Sequence, residues 1–385
     1  MMKDPILNQK HEDFRKKVRD FAEGVIAPRA QELDEKATFS TELTHRLFDE
    51  GYMSLVLPRD YGGNGLDTLS YIIAVEELAR IDGSQAATVA AHNSLGISPI
   101  LKYGTEDQKR RFLPKLTEGR KLWAFGLTET NAGSDSNNTE TMADLKDGQW
   151  TIRGEKIYIT NSASPLSGGI TVQAVTGTRG SGRKELSVIL VDRDSPGYEA
   201  EPIHGKMMWR SADTGRVRFR DVRVPESNLL GERGDGSRVM LSTLDGGRLS
   251  IAAMGLGLAQ GAFEMAMDYG AKRVQFGKPV RSFQINSFRL ADMATRIELA
   301  RSLLYRACWL KDNGQEFGKE AAMAKLYTSE IARDIVHEAQ QIHGAHGLMK
   351  GQPIERFFRD QRILEIGEGT SEILRLVIAR HLGIR

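Results

Sequence analysis

Apolar positions along the chain fall into three regimes. Phe14, Val18, Phe21 and Val25 recur at spacings of four, three and four, with Pro28 following. That is the period of one helix face, closed by a residue that breaks helices. Ser40 and Gly51 bracket a second helix as N-cap and terminal glycine. Tyr61-Gly62-Gly63-Asn64-Gly65 reads as a loop, and Leu69, Ile72, Val75 and Leu78 mark a further long helix. From about residue 122 the period drops to two. Trp150 and Ile152, then Ile157 and Ile159, alternate with polar partners. Ser187 to Val191 is a continuous apolar-rich run, and Val217, Phe219, Val222 and Val224 end at Pro225. Turns such as Arg179-Gly180-Ser181-Gly182 separate these strands. After Gly236 the helical period returns: Leu290, Met293, Ile297, Ala300 and Leu304 form one stripe, closed by Asn313-Gly314, and Tyr327, Ile331, Ile335 and Ile342 another. The pattern predicts an α+β protein. An N-terminal α-helical domain (residues 1–121) leads to a middle antiparallel β domain (122–231), then a C-terminal helical bundle (232–385).

Length, charge and cysteine use narrow the class. The 385 residues suffice for two or three domains with substantial cores. A net charge of +2 with mixed signs gives no polyanion footprint, so no nucleic-acid partner is expected. The one cysteine, Cys308, sits in an apolar helical pattern and leaves no disulfide framework. Met1-Met2-Lys3-Asp4 leads directly into a charged helix pattern, without the apolar run of a signal peptide, and no stretch reads as a membrane span. The expectation is a cytoplasmic enzyme.

Two apparent motifs point nowhere. Gly255-x-Gly257-x-x-x-Gly261 has the wrong spacing for a dinucleotide fingerprint and no strand before it. Small residues that let helices approach closely explain it better. His337-Glu338, His343 and His346 lack zinc spacing and a completing ligand, so no metal is expected. Ile366-Gly367-Glu368-Gly369-Thr370-Ser371-Glu372 is different in kind. It places a carboxylate between two glycines at a bend, where it can reach into a cleft and take a proton.

That heptad is the last of an ordered set. Trp123-Ala124-Phe125-Gly126-Leu127-Thr128-Glu129-Thr130-Asn131-Ala132-Gly133-Ser134-Asp135 and Gly154-x-Lys156-x-Tyr158-Ile159-Thr160-Asn161 come first. Arg210-Ser211-Ala212-Asp213-Thr214, Leu244-Asp245-Gly246-Gly247-Arg248 and Arg273-Val274-Gln275-Phe276-Gly277-Lys278-Pro279 follow. Gln341-Ile342-His343-Gly344-Ala345-His346-Gly347 precedes the heptad itself. Together, in this order and spacing, they resemble the signatures of the acyl-CoA dehydrogenase flavoproteins from end to end of the chain.

The resemblance implies an oxidoreductase of carboxylic acid degradation that desaturates an acyl-CoA thioester. Glu368 would take the α-proton while FAD takes the β-hydride, since no side chain accepts hydride. The Glu368 N–H and a flavin ribityl hydroxyl would polarise the thioester oxygen. Phe125, Leu127, Thr128, Ser134, Tyr158, Thr160 and Thr370 would contact FAD. Arg273, Phe276, Gln341 and Gly344 would reach the FAD of a neighbouring subunit, which implies a homotetramer. Ser134, Asp245 and Arg248 would meet the CoA portion, with His92, Leu95 and Gly367 at the acyl pocket. Electrons would pass to an electron-transferring flavoprotein. Some relatives place the base on the helix that carries Asp245; here that position is Gly247. Tyr158 stands where tryptophan is frequent, Thr130 where proline is common, Ala345 where a second glycine is usual, and Gly367 where an aromatic often precedes the base. A glycine at 367 points to a short branched or alicyclic acyl group. The alternatives are a butyryl-CoA-type straight-chain dehydrogenase and a non-catalytic flavin- or nucleic-acid-binding relative.

Overall fold

A computed structural model describes residues 6–180 and 182–384. The chain opens with α1 (Gln9–Phe21), α2 (Ala27–Lys36), α3 (Thr41–Asp49), α4 (Thr68–Ala79), α5 (Gly83–Ala91), α6 (Ser98–Tyr103) and α7 (Glu106–Leu116). Pro28 does not end the first helical run. A π turn, Ala22–Ile26, joins α1 to α2, and Pro28 falls in the first turn of α2, where no N–H is needed. Ser40 caps α3 by accepting from Leu43 N–H, and Gly51 takes a left-handed conformation just past its end.

Strands β1 (Leu122–Gly126), β2 (Met142–Lys146), β3 (Gln149–Thr160), β4 (Ser167–Thr178), β5 (Lys184–Asp192), β6 (Tyr198–Pro202) and β7 (Thr214–Pro225) form one sheet in the order β1-β4-β2-β3-β7-β6, with β5 also on β4. The sheet is mixed, which corrects the antiparallel expectation: β1 and β2 both run parallel to β4. Alternating burial reports a strand's faces but carries no information on its direction. The β4–β5 turn has Arg179 N–H bonded to Arg183 O at 2.8 Å; Ser181, like Met1–Asp4, lies outside the described residues.

The C-terminal part comprises α8 (Gly236–Lys272), a short hairpin of β8 (Val274–Gln275) and β9 (Lys278–Pro279), then α9 (Gln284–Asp312), α10 (Gly318–His343), α11 (Pro353–Asp360) and α12 (Ser371–His381). The stripe from Leu290 to Leu304 is buried throughout. Helix α8 is long and apolar enough to cross a membrane by length and composition, yet 78% of that window is buried inside the fold. Every residue of α4 is buried too. Its Glu76 and Glu77 are matched by Arg15 and Arg19 from α1 and Arg301 from α9, and Tyr305 donates to Glu76 at 2.5 Å. Charges at this depth persist only when paired, so the network fixes the N-terminal helices onto the bundle.

Of the glycine triplet on α8, Gly255 faces Thr328 on α10, while Gly257 and Gly261 face α4. A Cβ on Gly257 would stand 2.2 Å from Glu76 O, and one on Gly261 2.3 Å from Arg80 O. The backbones are therefore in contact, as the small residues predict. Gly257→Ala is expected to destabilise by about 1–3 kcal/mol, because neither backbone can yield. Gly246→Ala in the same helix meets nothing nearer than Lys311 Nζ at 3.8 Å. It should be neutral or stabilise by up to about 1 kcal/mol through helix propensity. Thermal denaturation of both variants checks the contrast; equal midpoints would contradict the close approach.

Candidate active site

Glu368 lies in the turn between a 3₁₀ segment, Gln361–Glu365, and α12, whose N-terminus is capped by the Thr370 hydroxyl. Its φ is +54° and that of Gly369 is +107°. Two successive residues at positive φ reverse the backbone, an arrangement a non-glycine residue adopts only under constraint. The residue is partly buried, but Oε2 is shielded from solvent and has no hydrogen-bond partner among the described residues. Opposite it on α8 is Gly247, where a Cβ would lie 2.0 Å from Glu368 Oε2 and 3.2 Å from Leu95 Cδ2. The missing side chain at 247 is what makes room for the carboxylate. Desolvation pushes Glu368 up to about 7, against the opposing charges of Lys325 and Arg248. That value suits a base working near neutrality.

Lys325 was not singled out from sequence. It is fully buried on α10 and its ammonium donates to Gly369 O at 2.6 Å. The available signal was a lysine on a buried helical stripe with Ala321, Thr328 and Ala332. Arg248 is buried and ion-paired with Asp245 one turn earlier on α8. Ser134, Asp245 and Arg248 all line one cleft of about 730 Å³, with Arg238, Leu376 and Arg380 completing its wall. A second cleft of about 570 Å³ shares Asn137 and Arg238 with it and adds Arg179, Arg183 and Lys184. It is a basic extension of the first.

Phe125 and Leu127 are buried in a hydrophobic cluster that Leu95 and Leu244 also pack against, and Leu95 in turn borders Gly247. The loop beyond is fastened from beneath. Lys156 on β3 is buried and contacts Glu129 at 2.6 Å and Leu127 O at 3.1 Å. Glu129 also accepts from Glu140 and Thr141 N–H, and Thr128 O accepts from Ile157 N–H at 3.0 Å. The two sequence segments assigned to one ligand are thus tied together. A register shift between Lys156 and Ile159, with Tyr158 at φ +60°, leaves the Tyr158 ring 66% exposed. Thr160 is partly buried two residues on.

Arg273, Phe276, Gln341 and Gly344 form a separate group. Tyr269 stacks on His343 at 4.5 Å, which joins the C-terminal ends of α8 and α10. Gln341 lies sixteen residues beyond Lys325 on α10, about 24 Å at the helical rise. Phe276 is 94% exposed. Gly367 is partly buried, and a Cβ there would find Ile363 O at 3.5 Å and its side chain no closer than 3.6 Å, an ordinary contact. His92 is a correction. Its Nδ1 accepts from Trp123 N–H, its Nε2 bonds Leu116 O at 3.1 Å, and its ring packs edge-on against Phe48. Burial holds it down to about 4. Both ring nitrogens are consumed by backbone, so it is a packed histidine and not an acyl-pocket wall.

Known proteins share this arrangement from one end to the other. The acyl-CoA dehydrogenase N-terminal domain matches residues 8–120, the middle domain 124–222 and the C-terminal domain 234–383. A probable acyl-CoA dehydrogenase, YngJ, of Bacillus subtilis is 45% identical over 98% of both chains. A short-chain specific acyl-CoA dehydrogenase of Megasphaera elsdenii is 41% identical over 95% of this chain and 96% of its own. Among solved structures, butyryl-CoA dehydrogenase from Megasphaera elsdenii superposes with a TM-score of 0.94 at 40% identity, covering 99% of this chain and all of that one. A chain in the structure of the electron transferring flavoprotein of Acidaminococcus fermentans gives 0.94 at 38% identity, over 99% of each. A glutaryl-CoA dehydrogenase from Mycobacterium smegmatis in complex with FADH2 gives 0.93 at 29% identity, over 99% of this chain and 96% of that one. With helical domain, sheet and bundle each matched, the chain belongs to the acyl-CoA dehydrogenase family.

Proposed function

We propose that this chain desaturates a short acyl-CoA thioester at the α,β bond, with Glu368 as the base. The observation that carries this reading is the Glu368 carboxylate. Its Oε2 is shielded from solvent and unpartnered among the described residues, beside an arginine that lines the 730 Å³ cleft. An α-proton beside a thioester carbonyl is weakly acidic, and a desolvated carboxylate is a stronger base than a hydrated one. Ser134, Asp245 and Arg248 line the path for the CoA arm, and the basic extension suits its phosphates.

The residues present fit FAD. An aromatic face at Tyr158 lies uncovered at the end of β3, near hydroxyls at Thr128 and Thr160 and beside a loop fastened by the buried Lys156–Glu129 pair. FAD, when bound, supplies the acceptor for the β-hydride. Glu368 holds the abstracted proton on its carboxylate, and the apolar packing of Phe125, Leu127, Leu95 and Leu244 helps keep water away. An electron-transferring flavoprotein is the proposed electron acceptor, supported by the likeness to the Acidaminococcus fermentans chain.

The predicted flavin contact Thr370, next to the Gly369 held by Lys325, and Gln341, about 24 Å further along α10, support a cofactor shared between subunits of a homotetramer. The nearly bare Phe276 ring on the β8–β9 hairpin supports the same reading. The acyl group is proposed to be branched or alicyclic near its α- and β-carbons, because no neighbour fills the space beside Gly367 more closely than Ile363. Straight butyryl-CoA is the second reading, favoured by the relatives named short-chain specific.

Glu368→Gln should keep FAD and lose turnover by about 10²–10⁴-fold. In the wild type kcat/KM should fall roughly tenfold per pH unit below about 7, because only the ionised carboxylate accepts a proton. A mutant with near wild-type turnover, or a flat profile down to pH 5, would sink the assignment. Gly367→Tyr should depress rates on isobutyryl-, 2-methylbutyryl- and cyclohexanecarboxyl-CoA and spare butyryl-CoA. A wild type that prefers butyryl-CoA over all three decides for the second reading. Light scattering should return a tetramer with bound FAD; a stable FAD-bound monomer would refute the shared site.

A further inference from the structure

We propose that Lys325 is the positioning residue of the reaction, holding the reversed backbone that aims Glu368 and keeping a positive charge beside its carboxylate. This rests on the reading of Glu368 as the base. An ammonium in a helix bundle is expensive to bury, and an apolar side chain would fill the same volume without that cost. The flanking stripe of Ala321, Ala322, Ala324 and Thr328 shows what this face of α10 otherwise carries. Lys325 is nonetheless fully buried, and its ammonium is spent on the carbonyl of Gly369, the residue immediately after the base.

That carbonyl is where a restraint matters. Glu368 and Gly369 both lie at positive φ, and such a backbone persists only when its surroundings hold it. Thr370 fastens the far side of the turn to α12 through Ile373 N–H. Lys325 fastens the near side to α10. Without that bond the carboxylate has no partner of its own to fix it, since Oε2 is unpaired and Gly247 offers only space.

The charge acts in the same place. The charged and titratable groups around Glu368 are Lys325 from α10, Arg248 from α8 and Tyr71 from α4, with Glu365 and Glu372 on its own segment acting on Lys325. Burial raises Glu368, and Lys325 is the largest influence in the opposite direction. Arg248 shares its charge with Asp245 in an ion pair. Removing the ammonium therefore disfavours the ionised carboxylate and moves its titration upward.

The test compares wild type, Lys325→Met and Lys325→Gln as FAD-bound enzyme, with Glu368→Gln alongside. The acid limb of kcat/KM against pH should move up by about 1–2 pH units in both lysine variants. Infrared titration gives a second readout without turnover: the protonated-carboxyl band absent from Glu368→Gln should persist to correspondingly higher pH. Should Lys325→Met fail to fold, Lys325→Gln, which keeps a donor for Gly369 O, decides the matter. A fall in rate that is equal at every pH, with the infrared band unmoved, reduces Lys325 to a structural role and overturns the proposal. An active Glu368→Gln would instead overturn the base assignment itself, so the two failures are distinct.

Discussion

One oxygen of a carboxylate, buried without a hydrogen bond, sets the terms for the rest of this fold. An isolated buried charge is opposed by several kcal/mol, so a protein that keeps one must hold it by other means. Here those means come from three directions. The turn at Glu368 and Gly369 is reversed, Gly247 on α8 vacates the space the carboxylate enters, and Lys325 and Arg248 supply opposing charge. None of these choices favours stability on its own. Each is intelligible once the carboxylate must stay dry and close to ionisation at neutral pH.

The scaffold supplies what that arrangement lacks. Helices α4 and α8 touch backbone to backbone through Gly257 and Gly261, which fixes α8 and with it Gly247, Asp245 and Arg248. The buried Arg15–Glu76–Arg301 network locks the N-terminal helices to that pair. On the sheet side, Lys156 and Glu129 pin the loop after β1 in the same manner, with each charge matched and each carboxylate oxygen engaged. The contrast is informative: Glu129 is satisfied and structural, whereas Glu368 is left with an unspent acceptor.

Much of this was legible in the sequence. The helix–sheet–helix order followed from the change of period at about residue 122 and its return after Gly236. The glycine triplet read as close helix packing, and Glu368 stood out through its flanking glycines. Strand direction was not legible, because alternation is identical for parallel and antiparallel neighbours, and β1 and β2 run parallel to β4. Pro28 misled because a π turn placed it in a first turn. His92 misled because proximity in sequence to Leu95 says nothing about which side of a helix faces the cleft. Lys325 escaped notice because its value lies in a contact forty-four residues away along the chain.

The central claim is that Glu368 removes the α-proton, and the proton step can be followed alone. An acyl-CoA held with the FAD-bound enzyme in D₂O, without an external electron acceptor, should exchange its α-hydrogen for deuterium. Mass spectrometry of the recovered thioester gives the rate. The account predicts exchange by the wild type and a loss of about 10²–10⁴-fold in Glu368→Gln. Equal exchange by both proteins would contradict it.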